Sequence, residues 1–168
     1  RIRIRHMPKE YQRKPRRPGP RLLGLDLGER RIGVAVSDET GIIASPIKII
    51  DLKYSSMSAV ATLATDLRVD GIVVGLPRAS QGEEGFQARA TRTWAAEIEA
   101  LVDVPILFWD ELLTSSIADR VLEAKGRSQR DRRRERDAIA AAVMLQSYID
   151  AHPIRTSPSG AGCHDDHS

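Results

Sequence analysis

The sequence predicts an α/β fold: a five-stranded mixed sheet, made of a three-stranded antiparallel meander plus two parallel strands, with helices on both faces. Three observations predict it. Leu22 to Leu27, Arg31 to Ser37 and Ile42 to Ile50 are short stretches rich in Ile and Val, separated by Gly-containing turns, as in a meander. "GIVVGLP" and "PILFWDE" are apolar throughout, as expected of strands covered on both sides. Between and after them run segments with helical spacing of apolar residues, long enough for crossover connections.

Each helix has its own signals. "SSMSAVATLATDLRV" offers Ser and Thr as caps and places Met57, Val60, Leu63, Ala64 and Leu67 on one face. "GFQARATRTWAAEIEALV" is a second amphipathic helix, and "TSSIADRVLEA", capped by Thr114, a third. "KGRSQRDRRRER", Lys125 to Arg136, reads as an Arg-rich loop, and Asp137 then opens a last helix, "DAIAAAVMLQSYIDA".

A chain of 168 residues, 29% charged and 41% hydrophobic, is expected to form one domain with a substantial core. It contains no apolar run long enough to cross a bilayer, which predicts no membrane association. The single Cys163 allows no internal disulfide, and this cysteine usage fits a reducing, cytoplasmic compartment. The formal net charge of +3 is unevenly placed: residues 1–21 hold nine Arg or Lys and one acid, Glu10, among four prolines. Residues 1–20 therefore read as a disordered basic arm, and His6-Met7 as a cloning junction that sets residues 1–6 apart from the fold. Residues 21–152 form the predicted domain and 153–168 a disordered polar tail. The tail's Cys163, His164, Asp165, Asp166 and His167 are metal-ligand types, but a cluster on one terminus without a second ligand pair is no specific site.

The opening strand raises the functional question, because Asp26 stands in the apolar stretch "LLGLDL". A buried carboxylate needs a partner, so the position implies a hydrogen-bond cluster, a cation or a phosphate; a turn Asp beside Gly28 is the plain alternative. Asp110 and Glu111 end the last predicted strand, and Asp137 opens the last helix. Sites of mixed α/β sheets gather at strand carboxyl ends and helix N-termini, where these acids can converge. Singly, each has an ordinary role as turn residue, strand-end acid or cap. Jointly, an oxygen-only set suits Mg²⁺ or Mn²⁺, in the manner of two-metal phosphodiester cleavage. Adjacent strand residues face opposite ways, so only one of Asp110 and Glu111 can face Asp26, and periodicity does not choose.

"GLDLGERRIGVAVSD", "IVVGLPRASQGEEG", "DELLTS" and "RDAIAAAVMLQSYID", in this order, resemble the YqgF/RuvX family over residues 21–151. The resemblance implies an RNase H-like fold, related to the RuvC Holliday junction resolvases, and an endonuclease of pre-16S rRNA 5′-end processing in ribosome biogenesis. It maps the family's acidic triad onto Asp26, Glu111 and Asp137, which chooses Glu111 as metal ligand with Asp110 as its secondary neighbour. It also implies two ions, Mg²⁺ or Mn²⁺, bridged by Asp26, with Gly24 and Gly28 leaving room for metal or phosphate. Turn roles go to Gly28, Gly75 and Pro77. Two positions depart from the pattern: Leu112 stands where the family usually has Arg after Asp-Glu, and Gln81 where an acid often precedes Gly. His6, His152, His164 and His167 are peripheral, so no imidazole base is expected.

Six Arg and one Lys in the run Lys125 to Arg136 place a cationic strip beside the proposed metals. Arg127, Arg130, Arg132, Arg133, Arg134 and Arg136, with Arg78 from the "GLPRASQG" loop, are the candidate nucleic-acid contacts. Few aromatics accompany them, which points to backbone recognition. The expected partner is nucleic acid, an rRNA precursor ahead of branched DNA, with ribosomal particles as a further partner. Two other classes share features of the sequence. Sugar kinases and chaperone ATPases of the actin-like fold open with a similar Asp-x-Gly turn but need two such domains. A non-catalytic nucleic-acid module of this fold would be free to lose the triad, which is intact here.

Overall fold

The computed structural model describes residues 19–77, 85–111 and 129–153, with only the backbone of Glu111 and of residues 129–134. Strands β1 (Leu22–Leu27), β2 (Arg31–Ser37) and β3 (Ala44–Asp51) are followed by helix α1 (Ser58–Asp66) and strand β4 (Gly71–Pro77). Helix α2 (Phe86–Glu99), strand β5 (Ile106–Glu111) and helix α3 (Gln129–Ala151) complete the described elements. The sheet order is β3-β2-β1-β4-β5. β1 to β3 form the antiparallel meander, and β4 and β5 add in parallel, so the mixed sheet is the one the sequence predicts.

Strand alternation divides the core in two. Leu23, Leu25, Ile32, Val34, Ile72 and Val74 pack with Val60 and Ala64 of α1 and Ile98 of α2. The intervening residues Leu22, Ala35 and Val73 pack with Ala141, Ala142, Met144, Leu145 and Ile149 of α3. Helices therefore cover both faces, and each large aliphatic side chain so buried contributes about 1.5–3 kcal/mol. No helix among the described residues is long and apolar enough to cross a membrane.

α3 approaches the sheet closely because glycines and alanines face each other. A Cβ at Gly24 would lie 2.8 Å from the Cβ of Leu145, and one at Gly33 would overlap the carbonyl of Asp137. Gly24 thus makes room for the helix rather than for a ligand. A Cβ at Gly28 would instead meet the carbonyl of Arg31 at 2.9 Å, within its own turn.

Four expectations need correction. β3 begins at Ala44, because the amides of Ile42 and Ile43 donate to Asp38 Oδ1 at 2.9 and 3.2 Å and hold a turn there. α1 starts without a side-chain cap, its first turn following Met57. Gly75 and Pro77 lie in β4, paired with Trp109 and Glu111 of β5, and are not turn residues. The charged run before Asp137 is helical from Gln129 onward, so Asp137 sits inside α3 and caps nothing. The helix expected from Thr114, the tails and most of the "GLPRASQG" loop lie outside the described residues.

Candidate active site

Asp26 is the penultimate residue of β1 and belongs to the alternation that carries Leu22 and Gly24 toward α3. Its neighbour across the ladder is Gly33 of β2. Because Gly33 has no side chain, the backbone of α3 at Asp137 rests on that spot, which seats Asp137 beside Asp26. Both acids are only partly buried. They line an open cleft of about 260 Å³ together with Gly28, Glu29, Arg30 and Arg31.

The electrostatics follow from this placement. Burial pushes the Asp137 carboxyl above its ordinary value, Arg31 opposes that rise, Asp26 adds to it and Arg136 opposes it. Nη1 of Arg31 stands 3.7 Å from Oδ2 of Asp137, an ion pair longer than a charge-assisted hydrogen bond. The Asp26 charge thus opposes ionisation of Asp137, while Arg31 and Arg136 favour it.

Of the predicted acids, Asp26 and Asp137 are brought together. Glu111 ends β5 in register with Pro77, and its side chain lies outside the described residues. Asp110 is exposed and follows Phe108 on the strand face turned toward α2, where Arg92 stacks over the Phe108 ring at 4.9 Å. Leu107 and Trp109 alternate onto the α3 side. Asp110 is therefore on the strand face opposite the one that carries Leu107 and Trp109 toward α3. Among the described residues, no group of three or more His, Cys, Asp or Glu is arranged to hold a metal ion. Arg130, Arg132, Arg133 and Arg134 belong to the first turns of α3, Arg136 is half-buried, and Arg78 and Arg127 lie outside the described residues.

Glu29, Arg30 and Arg31 are the cleft residues that sequence reasoning missed. The signal was present in the hairpin: the Gly28 amide donates to the Arg31 carbonyl at 2.9 Å, closing a tight turn. Once that turn is fixed, alternation carries residues 31 and 33 to the side of Asp26.

The profile of a protein family described as "RuvX: Holliday junction resolvase" matches residues 20–151. The chain belongs to the RuvX family. Curated RuvX relatives named "Putative pre-16S rRNA nuclease" include one from Syntrophus aciditrophicus, 38% identical over 143 residues, covering 84% of this chain and 95% of the relative. One from Bacillus subtilis is 37% identical over 135 residues, covering 78% and 98%. Among solved structures, the Fowlpox virus resolvase in complex with Holliday junction DNA superposes with a TM-score of 0.50 at 12% identity, covering 78% of this chain and 97% of that one. The fold is RNase H-like, as the sequence resemblance implies.

Proposed function

We propose that this RuvX-family protein is an endonuclease that hydrolyses phosphodiester bonds in an rRNA precursor, at the 5′ end of 16S rRNA. The observation that carries the reading is the convergence of Asp26 and Asp137 across Gly33 in an open cleft. The names of the curated relatives, each naming a pre-16S rRNA nuclease, support an rRNA precursor as the substrate. The oxygen-only donors fit Mg²⁺ or Mn²⁺, and Asp26, Asp137 and Glu111 are the residues that would hold two such ions. When bound, these ions supply Lewis-acid activation of water and stabilisation of the leaving oxygen. With Asp110 on the opposite face, Glu111 is the remaining acid of that pair.

The chain's own groups do the rest. Asp26 and Asp137 line the cleft together with Gly28. The Arg-rich first turns of α3 lead to Asp137 and offer phosphate-backbone attraction. Among the described residues the cleft is lined by acids, arginines and glycine.

Asp26→Asn tests the reading, because it keeps the side chain's shape and removes its charge. The variant should fold normally and lose more than about a hundredfold of Mn²⁺-dependent cleavage of an RNA spanning the 5′ end of 16S rRNA. Undiminished cleavage would overturn the role of Asp26. A four-way DNA junction assayed in parallel separates the two substrate classes, and faster cleavage of the junction would replace RNA by branched DNA.

A further inference from the structure

Arg31 lines the cleft but belongs to no part of the acidic set. It stands at the start of β2, on the same strand alternation as Gly33, and reaches toward Asp137 from the sheet side. The 3.7 Å separation from Asp137 Oδ2 exceeds hydrogen-bonding length, and the Arg31 and Asp137 side chains remain 36% and 37% exposed. The guanidinium is therefore loosely attracted to the carboxylate rather than locked onto it. A cation there opposes any second cation that seeks Asp137, since like charges a few ångströms apart repel even in water. Arginine is also the side chain best shaped for phosphate, presenting a planar fork of donors with a permanent charge.

We propose that Arg31 is the protein's own cationic contact to the phosphate held in this cleft, and that it competes with divalent cations for Asp137 when no nucleic acid is bound. The inference rests on the reading of the cleft as a phosphodiester-cleaving site. Arg31 offsets at Asp137 the charge that Asp26 adds there. Were a divalent cation held by Asp137, it would cancel the attraction on Arg31 and leave the guanidinium to an anion. The incoming phosphodiester supplies that anion. Arg31 thereby couples metal loading to substrate binding from one side chain, in a chain whose residue after Glu111 is Leu112 and carries no charge.

The two halves of the proposal have opposite signs in one variant. Arg31→Gln, made in the full chain, should bind Mn²⁺ alone about two- to tenfold more tightly by electron paramagnetic resonance titration, because the competing charge is gone. The same variant should lose roughly ten- to a hundredfold in kcat/KM on single-stranded RNA, because a charge-assisted phosphate contact is missing. Arg31→Lys keeps the charge but not the fork, so Mn²⁺ affinity should stay near the wild-type value while part of kcat/KM returns. An unchanged thermal midpoint controls for folding. Weaker Mn²⁺ binding in Arg31→Gln would make Arg31 a support that orients Asp137, and would overturn the proposal. Unchanged affinity and unchanged kcat/KM would overturn it as well. If the wild-type protein binds no Mn²⁺ and Asp26→Asn behaves like it, the underlying reading fails instead, whatever Arg31 does.

Discussion

A Cβ at Gly33 would overlap the carbonyl of Asp137, so α3 crosses β2 at a distance that only glycine permits. The consequence is chemical: Asp137 is half-buried beside Asp26 and its carboxyl is pushed up, by burial first, against the pull of Arg31. A raised native value means that the folded chain holds its proton where the unfolded chain has lost it. Stability is therefore fully present below the ordinary carboxylate value of 3.8 and is lost as pH rises through the raised native value. Asp137→Asn should accordingly raise the thermal midpoint of the metal-free protein at neutral pH, measured in a chelator. The gain should shrink as pH is lowered toward 3.8. A lower midpoint at neutral pH would mean that the Arg31 pair outweighs burial and the Asp26 charge. At this scale the acids were legible in the sequence, because a carboxylate within an apolar strand is a conspicuous cost. Which side each acid faces was not. The face of Asp110 is legible only once Leu107 and Trp109 are seen against α3 and Phe108 beneath Arg92.

Among the elements, α3 departs most from expectation. It spans 23 residues, about 34 Å at the usual rise, and among the described side chains its buried residues run from Ala138 to Ile149. Before them the helix is a polar rod. Polarity without apolar spacing suggests a loop, yet Gln, Arg and Glu are good helix formers, and the segment 129–136 contains no Gly or Pro. Once Ala138 to Ile149 is anchored to the sheet, nothing in the preceding turns stops the helix. The hydrophobic periodicity was sufficient to find the packed half of α3 and blind to the charged half. This matters for nucleic acid, because Arg130, Arg132, Arg133 and Arg134 stand on the same helix as Asp137. Arg130, Arg132, Arg133 and Arg134, all changed to Gln, keep helix propensity while removing charge. If these residues contact phosphates, the log–log salt dependence of RNA binding should flatten by roughly 0.7 to 0.9 for each lost contact. Binding should weaken about equally across sequences, with turnover at saturation less affected. An unchanged slope would make the run a solvated face and move the binding surface elsewhere.

For the molecule as a whole, the sheet acts as a partition. Its α1 and α2 side carries the larger aliphatic core, and its α3 side carries smaller residues and the cleft. The described chain is tied to the sheet from its first residues. The Gly19 amide donates to the Glu39 carbonyl at 3.2 Å, Ser37 Oγ donates to the Pro20 carbonyl at 3.4 Å, and the Arg21 amide donates to Asp70 Oδ2 at 2.8 Å. Residues 1–18 precede all of these anchors, and they hold eight Arg or Lys against one Glu. Without them the formal net charge of +3 becomes −4, so the positive balance of the chain resides in this segment. Core stability and long-range attraction should then be separable. Deleting residues 1–18 should leave the thermal midpoint within about 2 °C, since the anchors at Gly19, Pro20 and Arg21 are all kept. It should also slow association with RNA at low salt, with the difference closing as salt screens the charge. Cleavage at saturating substrate should be unaffected, because Asp26, Glu111 and Asp137 remain in place. A midpoint several degrees lower would show that the segment packs on the domain, and equal low-salt association rates would show that the charge which steers nucleic acid lies on α3 alone.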